Sequence, residues 1–255
     1  MSTDEYRKSK GINPSVLSSG DTLMHIRYAK DHPKEATPDM NLGSALHLAL
    51  FLPSDYEKNV FVFEGDLKSD KQRVAYEDAK CRYRVVIRES QKEDLDGMLA
   101  ALRANADVKE ILEQPAKVEL PCFSDKTGVQ KKGQLDRFGM FRNYPTIFDL
   151  KKCADASPKG FQRQVVDLLY HMKAAFYLDL LSEIAEADRR FVWICVESKA
   201  PYPVALYEAS DDLIQMGRAK YKRIMESYLK AKEENWWPAW HSGIEVIENP
   251  IWNKG

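Results

Sequence analysis

IFDLKK, residues 147–152, ends an apolar run with an acid, a leucine and two lysines. Charges at a strand end must be solvated, paired or bound to a ligand, because burying them bare is costly. Two further runs of β-formers precede it, AKVELPCF (116–123) and GVQKKGQLDRFGMF (128–141), with SDKTG and RNYP as turn signals between them. This predicts three consecutive strands in a mostly antiparallel meander. Asp136 and Asp149 then lie on neighbouring strands near one edge. Lys151, two residues after Asp149, points to the same face.

Two carboxylates and a lysine in one small volume have a chemistry. Hard divalent cations such as Mg²⁺, with Mn²⁺ as a substitute, take carboxylate oxygens. A metal held this way polarises a phosphoryl oxygen and acidifies a bound water. A nearby lysine orients that water or stabilises charge in the transition state. The spacing suits metal-assisted phosphodiester hydrolysis. The plainer alternative is a strand-end salt bridge, since D-x-K alone is a short motif.

Other residues bear on the choice. Glu119, in KVELPCF, sits on the preceding strand; it faces the same site or solvent. His47, in GSALHLAL, interrupts an apolar helix, as a ligand or as a hydrogen-bonded core histidine. Gly43, four residues earlier on the same helix face, allows close approach or simply helix packing. From Lys126 to Arg163 there are nine basic residues and three acids. A basic rim around an acidic centre is what a metal nuclease needs, with lysines and arginines on phosphates. A solvated hairpin accounts for the lysines but not for the acids among them.

Outward from this centre the chain reads as alternating layers. Residues 1–13 look like a loose polar arm. An amphipathic helix pattern then runs to Pro33, and 40–52 form a short apolar helix ended by Pro53. Residues 59–63 suit a strand, and roughly Asp70 to Gln114 is charged and helical. A helix capped by Ser157 with Pro158 at its first position runs to about 187. FVWICVES (191–198) is a buried-type strand, PVALYEA (203–209) its hairpin partner, and a long amphipathic helix follows. In the tail, 235–255, Trp236, Trp237, Trp240 and Trp252 are expected to fold back on the domain. The economical architecture is one α+β domain over 1–255, a central mixed β-sheet flanked by helices.

Composition narrows the class. The chain has 255 residues, 44% hydrophobic, with a formal net charge of −1, so nucleic-acid contact rests on a local patch. Cys81, Cys122, Cys153 and Cys195 are far apart with no CxxC, which argues against a zinc ribbon or disulfide scaffold. With no signal-like N-terminus and no membrane-length apolar run, a reduced cytoplasmic setting is expected.

With these motifs in place, the chain resembles the PD-(D/E)xK nuclease superfamily. Within it, the sequence is similar to the exodeoxyribonuclease VIII (RecE-type) branch of phage and prophage recombination exonucleases. GSALHLALFLPSDYEKNVFV resembles the family's Gly-x-x-x-His helix and following strand. VELPCF, KKGQLDRF and FDLKK resemble its core strands, YHMKAAFY its next helix, and FVWICVESKAPYPVALYEAS its last strands. The resemblance implies an α/β/α restriction-endonuclease-like core. It implies that His47, Asp136, Asp149 and the Leu150 carbonyl surround Mg²⁺, with Glu119 nearby and Lys151 serving the attacking water.

The resemblance further implies ATP-independent digestion of double-stranded DNA from an end, 5′ to 3′, in a bacterial host. The 3′ tail would pass to a single-strand annealing protein, and a homo-oligomeric ring is in keeping. Expected DNA contacts are Lys131, Lys132, Lys152, Lys173 and Tyr177. The last pair departs from the family, which commonly carries Gln-x-x-x-Tyr there. Lysine meets phosphate as a point charge, without the amide's two-way hydrogen bonding. Cysteine spacing gives no support for the iron–sulfur cluster of some relatives.

Overall fold

The structure is a computed structural model that describes residues 3–241 and 243–247. A helix, α1 (Thr3–Lys8), stands where a loose arm is expected. It is held because Tyr6 is buried, tilted against Phe123 with ring centroids 6.0 Å apart. Behind it the backbone zips onto the sheet: Ile12 N donates to Gln130 O at 2.8 Å, and Lys132 N to Ile12 O at 2.9 Å. The expected single helix before Pro33 is two, α2 (Pro14–Leu17) and α3 (Leu23–Asp31). Asn13 caps the first and Thr22 the second, so SSGD is a break rather than a turn of helix.

Thr37 caps α4 (Pro38–Phe51), and Pro53 opens α5 (Pro53–Asn59). Next, β1 (Val60–Phe63) pairs in parallel with β2 (Val85–Arg88) across α6 (Asp70–Arg82). The strand β2 corrects the all-helical reading of 70–114. Its VVIR is too short to break the surrounding charge pattern, but Val85, Val86 and Ile87 are buried. Then come α7 (Glu89–Ala104) and α8 (Ala106–Glu113), separated at Asn105, which caps the second.

The meander follows as expected: β3 (Ala116–Ser124), β4 (Lys131–Phe141) and β5 (Tyr144–Cys153), antiparallel in turn. The long helix after Ser157 is broken into α9 (Pro158–Asp167) and α10 (Tyr170–Ile184) by Leu169, whose φ is 57°. Strand β6 (Arg190–Glu197) lies parallel to β5, β7 (Val204–Glu208) pairs antiparallel with it, and α11 (Asp211–Glu234) closes the fold.

The five-stranded sheet has order β3-β4-β5-β6-β7 and is covered on both faces. Alternate residues of β6 show why. Phe191, Trp193 and Cys195 join the core under α9, α10 and α11, while Val192, Ile194 and Val196 join the core under α4, α7 and α8. The result is the three-layered α/β/α arrangement. Among the described residues no helix is long and apolar enough to cross a membrane.

The tail folds back only in part. Trp237 stacks edge-on to Tyr228 under Arg27, and Met24 N donates to Pro238 O at 3.1 Å. Trp236 and Trp240 are exposed. Trp252 lies outside the described residues.

Candidate active site

The sheet forks at its centre. Pairing between β4 and β5 runs from Phe141↔Tyr144 to Arg137↔Phe148 and stops. Beyond that point β4 stays with β3 as far as Lys131, and β5 stays with β6 as far as Cys153. Asp136 and Asp149 are the next residues on each side, so they face each other across the opening. In place of a ladder bond, Leu150 N donates to Asp136 Oδ2 at 3.0 Å. A strand residue turns its N–H and C=O to the same side, so the Leu150 carbonyl also faces the fork.

The side-chain alternation breaks at the same level. On β4, Leu135 belongs to the core under α10, whereas Arg137 reaches the carbonyls of Ile111 and Gln114 under α8. On β3, Val118 and Leu120 pack on opposite faces, with Glu119 between them at φ 49°. A non-glycine residue with positive φ in a strand is sparsely populated and marks a local constraint. It brings the Glu119 carboxylate to the fork.

Helix α4 supplies His47 from the other layer. Its Nδ1 is 3.2 Å from Glu119 Oε1 and its Nε2 is 3.4 Å from Asp136 Oδ1. Gly43, one turn earlier, borders open space: a Cβ there would meet nothing within 4 Å. From the α10 side, the Lys151 ammonium is paired with Asp149. Lys151 and Lys173 both lie over the Tyr170 ring, at 4.9 and 5.7 Å from its centroid. Tyr177 sits against Gly133 beside them. Tyr170 was not among the sequence candidates, although it opens the quoted YHMKAAFY.

These groups perturb one another. Burial disfavours the His47 imidazolium, yet Asp136, Glu119 and Asp149 outweigh it and raise its pKa. Burial likewise works against the Asp136 carboxylate, but His47 and Lys151 hold its pKa below the usual carboxylate range. At Asp149 burial wins and the pKa is raised; the same holds for Glu119. Lys151 is raised because Asp149 and Asp136 overcome its burial, so it keeps its proton. Lys173 is lowered by burial and by Lys151, and Tyr177 is pushed well up by burial. Two facing carboxylates with opposite shifts are a mark of a site built for chemistry.

The donor set suits a hard divalent cation, with carboxylate oxygens from Asp136 and Asp149 and an imidazole nitrogen from His47. Two buried atoms of this set lack a well-directed hydrogen bond, His47 Nε2 and Asp149 Oδ2. Among the described residues no three His, Cys, Asp or Glu side chains already converge as a metal cage. As folded, the donors are divided: His47 lies between Glu119 and Asp136, and Lys151 holds Asp149.

The expected basic rim is rearranged. Lys131 and Lys132 are buried and do not face outward for DNA. The Lys131 ammonium pairs with Glu183. Lys132 Nζ donates to the carbonyls of Tyr6, Arg7 and Ser9. Lys152 donates to Asp39 at 2.5 Å, and Arg142 binds Asp107 and Glu110. Most charges counted in 126–163 thus hold the fold. After His47, the cations acting on Glu119 are Arg84 and Arg7, neither of which carries a sequence signal.

The chain has the fold of a crystal structure from Eubacterium rectale described as a "Putative exonuclease". The two align with a TM-score of 0.65 and 12% identity, over 98% of this chain and 96% of that one. A second solved structure, SSO0001, aligns at 14% identity over 90% of this chain and 82% of its own, with a TM-score of 0.37 that carries no argument. No curated protein matches the chain. A family profile matches residues 21–250, which include every element of the site from α4 to α10. The chain belongs to the family described as a PDDEXK-like domain of unknown function, DUF3799.

Proposed function

We propose that the protein is a metal-dependent nuclease that hydrolyses phosphodiester bonds of double-stranded DNA from an end. The observation that supports this reading is the fork, where Asp136 and Asp149 face each other, with His47 beside Asp136 and Lys151 beside Asp149. His47, Asp136, Asp149 and the Leu150 carbonyl would hold Mg²⁺, and Mn²⁺ in its place. When bound, the ion would supply Lewis-acid polarisation of the phosphoryl oxygen and a water of lowered pKa.

The chain's own residues do the rest. Lys151, kept charged by two carboxylates, donates hydrogen bonds to the attacking water or a phosphoryl oxygen and has no lone pair for a base. Its seat on Tyr170 fixes where that ammonium points. Lys173, on the same helix, would meet a phosphate. Glu119 orients His47 through Nδ1, which leaves Nε2 turned to the fork.

In the fuller reading the enzyme is a recombination exonuclease of the RecE type, working 5′ to 3′ in the cytoplasm of a bacterial host. It would leave 3′ tails for a single-strand annealing protein, and would act as a homo-oligomer. Linear duplex labelled separately at its 5′ and 3′ ends, with Mg²⁺ or EDTA, tests this. Metal-dependent early loss of the 5′ label is the expected result. Cleavage of circular duplex would replace the exonuclease by an endonuclease. No cleavage by folded protein with either metal would favour a non-catalytic DNA-binding module.

A further inference from the structure

A cleft of about 660 Å³ opens between the N-terminal segment, α3, the start of β4 and the C-terminal half of α11. Its lining includes Arg7, Lys10, Lys30 and Lys232, all exposed, and no acid. Among the described residues none of the four makes an ion pair; Lys30 donates to Tyr228 Oη at 3.3 Å. Four unpaired cations around one concavity repel each other and focus a positive potential, which an anion relieves.

The shape argues for a polyanion. The four charges come from three separate elements, and the cleft is far larger than one phosphate group. Lys132 lies under the rim and is occupied by three carbonyls. It works as a tether that seats the end of α1, and with it Arg7 and Lys10, on the cleft. The cleft is also near the fork. Lys132 precedes Asp136 by four residues on β4, about 13 Å along an extended strand. That is the rise of about four nucleotides.

We infer that this cleft holds the phosphate backbone of a nucleic-acid strand whose scissile bond lies at the Asp136–Asp149 fork. The inference rests on the nuclease reading above. It moves the non-catalytic DNA contacts from Lys131 and Lys132 to the exposed cations that Lys132 supports.

The test uses the full chain with Lys10→Ala, Lys30→Ala and Lys232→Ala combined. Binding of a labelled duplex is followed by fluorescence anisotropy in EDTA, between about 50 and 200 mM salt. Each lost phosphate contact removes about 0.7–0.9 from the slope of log affinity against log salt, so the slope should fall by about 2–3. The matching triple arginine variant should keep the wild-type slope, and so should Asp149→Asn. An unchanged slope in the alanine variant overturns the inference, as does a lost slope in the arginine one. Inorganic phosphate that displaces the duplex from the wild type far better than chloride at equal ionic strength would also overturn it, making the cleft a small-anion site. Wild type that cleaves DNA while the variant keeps its slope sinks the cleft alone. Wild type that neither binds nor cleaves duplex sinks the nuclease reading with it.

Discussion

At the start of β4, Lys131 and Lys132 are buried and the protein answers both ammonium groups, one by Glu183 and one by three carbonyls. At the end of β5, Lys151 is half-buried, and its partner Asp149 looks across at a second carboxylate, Asp136. The two regions are on neighbouring strands and read alike as K-K and D-L-K-K. Glu183, like Asp149, keeps one oxygen without a hydrogen bond, so the regions differ in the second carboxylate that faces Asp149. A polar group whose bonds are all met inside the protein stabilises or positions the fold. Facing carboxylates with opposed pKa shifts are instead the pattern of a functional site.

The largest effect should come from breaking the end of β5. Asp136→Asn, Asp149→Asn or Lys151→Met should each cut DNA cleavage about 10³-fold or more. Duplex binding in EDTA should survive, as gel shift would show. Full cleavage by Asp149→Asn would mean that the fork is only a strand-end salt bridge.

Breaking the start of β4 should cost stability instead. Lys131→Met strands the half-buried Glu183 carboxylate and should lower urea stability by about 3 kcal/mol. Adding Glu183→Leu should recover most of that loss, because an apolar pair replaces the ion pair. Lys132→Met leaves three carbonyls short of a donor and should cost about 2 kcal/mol. If Lys131→Met unfolds no more easily than wild type, the contrast between the two regions fails.

Gly43 sharpens the comparison at smaller scale. A helix-interior glycine is unfavourable, and its Cβ would meet nothing here. Gly43→Ala should therefore raise stability by about 0.5–1 kcal/mol. Gly43→Leu should stay folded and slow cleavage of duplex, the result expected if substrate approaches through the open space at Gly43. Unimpaired cleavage by Gly43→Leu would place substrate entry elsewhere.

The smallest effect concerns thiols. Burial pushes Cys122 and Cys153 up to about 11, and Cys195 further, while Cys81 is exposed. At pH 8 the buried three remain protonated, so a thiol reagent should modify Cys81 quickly and the others only after denaturation. Rapid modification of Cys153 would show that the sheet below Lys151 is open.

Legibility followed the range of the interactions. The meander could be read because β-formers and turn residues alternate locally, and the D-x-K face follows from the strand period. β2 was hidden because three apolar residues among charges resemble a helix face, and only pairing with β1 and packing on α4 make them a strand. The break at Leu169 was hidden because no glycine or proline marks it. The basic rim was misplaced because a count of charge along the chain is blind to carbonyls and acids that reach a lysine from elsewhere.

From the sequence alone came the strands β3 to β5, the helix bearing His47, the facing of Asp136 and Asp149, and the shared side of Lys151. Each depends on a short period or a single turn. Tertiary structure alone decided the fork itself, the left-handed Glu119, the Tyr170 seat under two lysines, and which lysines are spent on the fold. It also brought Arg7, Lys10, Lys30 and Lys232 to one cleft. Those outcomes depend on how strands diverge and how distant segments meet, and burial and charge are balanced only once the neighbours are in place.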